Sequence, residues 1–221
     1  MSERPNNRSV LERRLFVAGL AGAVALPLAH AQSAATPAQT LGPFYPRDPA
    51  ERPRETDADL LSLDGDRVLT KGVPLYLTGR VLDRRGAAIP NVAVEIWQCD
   101  ANAVYHHPDG GAESQRDPGF QGYGVTRTGA EGDFHFRTIR PVAYPGRTPH
   151  IHVRVQSAEG RVLATQLYLP NEPGNRNDFL FRRLNADEQA ALTLRFGPAT
   201  PNAHPLARAT QQTACAELVV A

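Results

Sequence analysis

Apolar and polar residues alternate at period two along several short stretches of the chain. Leu75, Leu77, Gly79 and Val81 alternate with Tyr76, Thr78 and Arg80, and Val92, Val94 and Ile96 form a second run. Phe134 and Phe136 mark a third, Ile151, Val153 and Val155 a fourth, and residues 162–169 a fifth. Such alternation, bounded by Gly, Pro and Asp clusters like Asp83-Arg84-Arg85-Gly86, predicts half-buried strands. Many short strands joined by turns predict an all-β protein, an antiparallel β-sandwich over residues 75–221. Ala216 to Val220 reads as a last strand. One short helix is expected after Asn185, because Asn185-Ala186-Asp187-Glu188 pairs an N-cap with an acidic residue three places on. Residues 32–74 are rich in proline and charge and read as an irregular arm wrapped on the sandwich. No internal repeat is visible.

The first 31 residues read as an address. Arg13-Arg14-Leu15-Phe16 precedes an apolar run from Val17 to Leu28 and then Ala29-His30-Ala31. A basic region, a short apolar region and a small-x-small site make a secretory signal. The paired arginines resemble the twin-arginine type, although Glu12 departs from it, and an ordinary export signal stays open. Cleavage after Ala31 and a periplasmic location are expected. The run is too short for a spanning helix, so an integral membrane protein is not expected.

The 221 residues carry 24 basic and 23 acidic side chains. Removing residues 1–31, which hold Arg4, Arg8, Arg13, Arg14, Glu3 and Glu12, leaves 20 and 21. That balance gives no case for a nucleic-acid partner. Cys99 and Cys215 show no zinc spacing. Export permits a disulfide, but their separation leaves pairing and free thiols equally open.

The chemistry concentrates in Pro149-His150-Ile151-His152-Val153-Arg154-Val155. Residues i and i+2 of a strand share a face, so both imidazoles project side by side and can hold one metal ion. On spacing alone, two polar residues facing solvent is the more ordinary reading. The preceding Tyr144-Pro145-Gly146-Arg147-Thr148-Pro149 is turn-rich and could fold a tyrosine back towards them.

The surrounding motifs add a resemblance. Gln39-Thr40-Leu41-Gly42-Pro43-Phe44-Tyr45, Gly79-Arg80-Val81-Leu82-Asp83 and Pro90-Asn91-Val92-Ala93-Val94-Glu95-Ile96-Trp97-Gln98 are followed by Tyr105, Tyr144-Pro145, Arg147-Thr148-Pro149-His150-Ile151-His152 and Thr165-Gln166-Leu167-Tyr168. In this order they resemble the intradiol ring-cleavage dioxygenases, over about residues 36–169. The resemblance implies a non-haem Fe(III) cofactor held by Tyr105, Tyr144, His150 and His152. Two anionic phenolates and two imidazoles suit a hard trivalent ion better than Zn(II) or Cu(I). It further implies an oxidoreductase of aromatic catabolism that inserts both atoms of O2 between the two hydroxylated carbons of a catechol, giving a cis,cis-muconate-type product. Tyr144 corresponds to the ligand that substrate displaces, and it then takes a substrate proton. Arg147 corresponds to an arginine that stabilises charge on the bound ring, and Gln166 to a polar residue near the site. Gly42, Pro43 and Tyr45 correspond to pocket-lining residues.

Other readings of single residues remain beside these. Gly42-Pro43 is also a plain turn, Arg147 a surface arginine, and Gln166 a polar residue on a sheet face. Tyr76, Tyr123 and Tyr168 are read as packed aromatics with satisfied hydroxyls. His106 and His107 are read as lying beside Tyr105 or on the surface, and Arg176, Arg182 and Arg183 as a solvated face. The chain has Arg147-Thr148-Pro149-His150 where the family more often reads Arg-Pro-Ala-His. It also shows no helical dimerisation segment ahead of the strands, which places it nearer the protocatechuate type. A non-catalytic β-sandwich binding module, or a zinc hydrolase using His150, His152 and Glu95, are the competing functions. The sequence leaves open which catechol is the substrate, whether Arg47, Arg80 or Arg127 meets a substrate carboxylate, and whether the protein is a homo-oligomer.

Overall fold

The computed structural model describes residues 32–62, 70–157, 160, 162–197 and 212–221. The expected signal segment, residues 1–31, lies outside the described residues.

Among the described residues, eight strands form two four-stranded sheets. The strands are β1 (Pro74–Asp83), β2 (Ala93–Trp97), β3 (Tyr123–Arg127), β4 (Asp133–Ile139), β5 (His150–Gln156), β6 (Val162–Tyr168), β7 (Arg195–Gly197) and β8 (Gln212–Val220). One sheet runs β4-β1-β8-β7 and the other β3-β2-β5-β6. All pairings are antiparallel except β1 with β8, which run parallel from Leu75↔Gln212 to Asp83↔Val220. The chain is therefore an all-β sandwich with one parallel pair. That pair joins the first and last strands, whose relative direction no local pattern reveals.

The core lies between the sheets. Leu75, Leu77, Phe134, Phe136, Ala214 and Leu218 from one sheet share it with Val94, Ile96, Ile151, Val153, Val155 and Leu167 from the other. Burying each large aliphatic or aromatic side chain contributes about 1.5–3 kcal/mol. The arm adds Leu60 and Leu61 to this core and ties itself to both sheets. Thr36 N–H donates to Val219 O, Gln39 N–H to Ala164 O, and Leu60 N–H to Arg137 O.

The helix α1 (Ala186–Leu192) starts at the expected box: Asn185 Oδ1 accepts from Glu188 N–H at 3.0 Å, and Glu188 Oε2 from Asn185 N–H at 2.8 Å. Leu192 packs it onto Tyr168 and Phe181.

With Ile151, Val153 and Val155 committed to the core, His150 and His152 must face away from it. They do not meet solvent, as each is only 2% exposed. The arm and the loops after β2, β4 and β6 cover this outer face.

Candidate metal centre

Strand β5 lies between β2 and β6, so His152 has Trp97 as its register partner on one side and Gln166 on the other. His150 pairs with Tyr168. The Nε2 atoms of His150 and His152 face each other at 3.2 Å, and the Tyr105 hydroxyl lies 3.4 Å from His150 Nε2. The Tyr144 ring meets that of Tyr105 edge-on, with centroids 5.5 Å apart, and lies 5.6 Å from the His150 ring. Two tyrosines and two histidines thus converge on one point outside the sheet.

Each loop is shaped by local chemistry. Asp100, at the end of β2, has no exposed surface. Its Oδ1 accepts from the N–H groups of Asn102 (2.9 Å) and Val104 (3.0 Å), and its Oδ2 from Asp117 N–H (2.6 Å). His106 Nε2 lies 3.1 Å from the same Oδ2. These bonds fold the loop that presents Tyr105. Burial alone would raise the Asp100 pKa, but His106 and the backbone donors outweigh it and hold it below the ordinary carboxylate value. Tyr144 is presented by a tight turn around Pro145-Gly146, closed by Arg147 N–H donating to Tyr144 O at 2.9 Å.

The protonation chemistry suits a cation. Burial, with Arg147 nearby, pushes the His150 pKa down to about 4, and burial pushes that of His152 well below its ordinary value. Both imidazoles are then neutral at pH 7, with lone pairs available. His150 Nδ1–H donates to Thr148 O at 2.6 Å, which leaves its lone pair on Nε2, facing His152. Burial raises the pKa of Tyr105 well above its ordinary value and raises that of Tyr144 as well. Without a positive ion both phenols keep their protons, and a multivalent cation at the convergence point would displace them. The donor set therefore fits ferric iron. Among the described residues, no group of three His, Cys, Asp or Glu side chains could hold a metal ion. Glu95, the carboxylate weighed for a zinc site, is instead occupied by the Tyr45 and Tyr123 hydroxyls, each at 2.8 Å, and by Arg154.

The family model "Dioxygenase" matches residues 42–204. The chain is also 36% identical over 177 residues to the protocatechuate 3,4-dioxygenase beta chain of Burkholderia cepacia, covering 70% of this chain and 75% of that one. The chain belongs to the intradiol ring-cleavage dioxygenases. A hydroxyquinol 1,2-dioxygenase of Rhizobium sp. is 32% identical over 67% of this intradiol dioxygenase, which spans only about half (52%) of that relative's length. The solved dioxygenase domain of a dioxygenase–carbohydrate-binding fusion from Streptomyces sp. SirexAA-E is 33% identical, with a TM-score of 0.60, over 84% of this chain and 97% of that one. An intradiol ring-cleavage dioxygenase from Tetranychus urticae shares the fold, with a TM-score of 0.62 over 85% of this chain and 95% of that one at 19% identity.

Within this intradiol dioxygenase the remaining expected residues fall as follows. Arg147 lies beside His150, its Nη1 3.4 Å from Nε2, and its Nη2 donates to Gln166 Oε1. Gln166 is fully buried. Gly42 packs against the His152 ring, where an added Cβ would sit 3.3 Å from Cε1. Pro43 is exposed. Tyr45 packs tilted against Trp97, with centroids 4.8 Å apart, and turns its hydroxyl to Glu95. Its neighbour Phe44, unassigned from sequence, lies on the Tyr105 ring at 4.3 Å and meets Tyr144 edge-on. Tyr76, Tyr123 and Tyr168 are packed with bonded hydroxyls, to His135, Glu95 and Gln39. His107 is buried, with Nε2 3.6 Å from Glu51. Arg176, Arg182 and Arg183 are exposed. Arg80 lies in the other sheet bonded to Glu131 O, and Arg127 donates to Asn91 O, so neither is brought to the site. Cys99 and Cys215 are unpaired, and burial pushes the Cys99 thiol up to about 12.

Proposed function

We propose that this intradiol dioxygenase is a ferric enzyme for a catechol-type substrate and O2, with Tyr105, Tyr144, His150 and His152 as its iron ligands. The observation that carries the reading is that His152 Nε2 and the Tyr105 hydroxyl both lie within 3.4 Å of His150 Nε2, on a buried sheet face. Ferric iron held there by these four residues would supply Lewis acidity towards the bound substrate.

The chain's own residues then divide the work. Tyr105 is enclosed at 4% exposure, whereas Tyr144 is partly exposed on its turn. Tyr144 is therefore the one positioned to meet an incoming catechol and to hold a proton from its hydroxyl on the phenolic oxygen. Arg147 keeps a fixed positive charge beside this oxygen and beside His150, where negative charge on the bound ring is stabilised. Gln166 orients the guanidinium by accepting from Nη2. Phe44, Trp97 and Gly42 wall the site with apolar surface and exclude water. The product is a cis,cis-muconate-type diacid.

Export through the twin-arginine-like segment to the periplasm suits a protein that takes up iron while folded. Among the described residues no helix is long and apolar enough to cross a membrane. A homo-oligomer belongs to the proposal as the state to be measured by light scattering. The deciding experiment is a visible spectrum of the purified mature protein before and after anaerobic addition of catechol. A broad tyrosinate-to-iron band that shifts with catechol is expected. A protein that stays colourless after reconstitution with iron overturns the ligand assignment.

A further inference from the structure

Arg147 and His150 both need one orientation, yet neither sets its own. Arg147 sits on a turn, and His150 is the first residue of its strand. What holds them is a segment about thirty residues further on, with no metal-ligand chemistry of its own. Asp178 follows the single-turn segment Pro173–Arg176, and its side chain has no exposed surface. Its Oδ1 accepts from the N–H groups of Leu180 and Phe181, both at 3.0 Å, which fixes the carboxylate to its own loop. Its Oδ2 accepts from Arg147 Nε at 2.8 Å and from Thr148 N–H at 3.0 Å. One oxygen therefore bridges a guanidinium and the neighbouring peptide.

Both bonds lead to the site. With Nε taken by Asp178, the two terminal nitrogens of Arg147 are left to face His150 Nε2 and Gln166 Oε1. Thr148 is gripped a second time, its hydroxyl donating to Asn175 Oδ1 at 2.9 Å, while Asn175 Nδ2 donates to Leu169 O. Held at both ends, Thr148 offers its carbonyl to His150 Nδ1–H at 2.6 Å. That bond decides which imidazole nitrogen keeps the lone pair.

We propose that Asp178 and Asn175 form a clamp on Arg147-Thr148 that positions the guanidinium and fixes the His150 tautomer. The clamp rests on the ferric reading above for its effect on catalysis, but its effect on the tautomer does not. Asp178 and Asn175 are positioning residues, and nothing places them against substrate.

The test compares the wild-type mature protein with Asp178→Asn and Asn175→Ala, each checked for folding by circular dichroism. Histidine 15N spectra of the metal-free protein should show His150 protonated at Nδ1 in the wild type and a tautomer mixture in Asp178→Asn. Iron affinity, read by chelator competition, should fall roughly 10–100-fold in Asp178→Asn, the usual scale for partners behind metal ligands. In Asn175→Ala it should fall less, because Arg147 keeps its carboxylate. Turnover of catechol should fall in kcat more than it rises in KM. In an Arg147→Lys background the added loss from Asp178→Asn should shrink, since the two act as one unit. A folded Asp178→Asn with a wild-type tautomer, iron affinity and kcat overturns the clamp. If Asp178→Asn does not fold, Thr148→Val and Asn175→Ala decide, and wild-type tautomer and iron affinity in both overturn it. A wild-type chain that takes up no iron overturns the ferric reading, and the histidine spectra then still judge the clamp on the tautomer alone.

Discussion

Trp97 lies flat against His152: the two rings are 8° from parallel, with centroids 4.8 Å apart, and the residues are register partners across β2 and β5. The indole also packs against the tilted ring of Tyr45, which Glu95 holds by its hydroxyl. Among the described residues His152 Nδ1 has no hydrogen-bond partner. Unlike His150, this imidazole is oriented by packing. Trp97→Leu should therefore release its ring. The expected result is a stability loss of about 3 kcal/mol, in the range for removing a buried aromatic, together with weaker iron retention. Thermal melts and iron per chain after dialysis check both. Undiminished iron in a destabilised protein would refute the orienting role and leave only the packing.

Gly42 bounds the same ring from the arm. Its φ is +75°, and a Cβ there would approach His152 Cε1 at 3.3 Å. Gly42→Ala combines backbone strain of about 1–2 kcal/mol with pressure on His152. Gly86→Ala separates the two effects, because Gly86 has φ +80° with nothing within 4 Å of the added carbon. Both variants should lose similar stability by melting, but only Gly42→Ala should lose catechol turnover. Equal turnover in the two would show that the arm does not bear on the site.

What was legible in the sequence follows from how local each feature is. β1, β2, β4, β5 and β6 announce themselves by alternation, and α1 by its capping box. β7 has only three residues, too few to establish a period, and β3 carries Gly124 and an exposed Arg127, so neither presents a pattern to read. The residues that converge at the candidate centre were legible as types and order, given the resemblance. Asp178, Asn175, Phe44 and Asp100 were not singled out, because their roles are contacts across the fold. Asp178 meets Arg147 across 31 positions of chain, and no spacing rule joins them. Burial of the histidine face was also hidden, since period-two alternation reports one apolar face and cannot say what covers the other.

Asp100 gives a prediction with a sign in pH. Its folded pKa is below the ordinary value, so its stabilisation is fully present above the unfolded carboxylate pKa of about 3.9. It is lost as pH falls from there through the folded value. The groups facing it are His106, the Asn102, Val104 and Asp117 amides, and the neighbouring Cys99 thiol. Asp100→Asn should lower stability by roughly 2–4 kcal/mol at pH 7, as for a buried charged acceptor deprived of its charge. The difference from wild type should narrow below about pH 4. Denaturant melts of both proteins from pH 7 to pH 3 measure it, and a constant gap across that range would show that the charge on Asp100 is not what holds the Tyr105 loop.

The two ends of the donor set make the sharpest comparison. Tyr105 is buried beneath Phe44 and bonded to His150, and burial holds its proton in place, so a phenolate there would need a cation to displace that proton. Tyr105→Phe removes that oxygen while keeping the ring on Phe44. The fold should survive, with stability changed by no more than about 1 kcal/mol, and the tyrosinate-to-iron absorption should weaken or vanish. His152→Ala removes a lone pair and leaves Trp97 facing a cavity, so it should lose iron and also melt lower, by about 2–4 kcal/mol. The two variants thus separate colour from packing: one changes the spectrum in a protein of near-normal stability, the other loses both. Iron analysis, the visible spectrum and ring-cleavage assays on the same preparations decide it. Unchanged iron content and catechol cleavage in both would mean that the point where these side chains converge is not the metal centre.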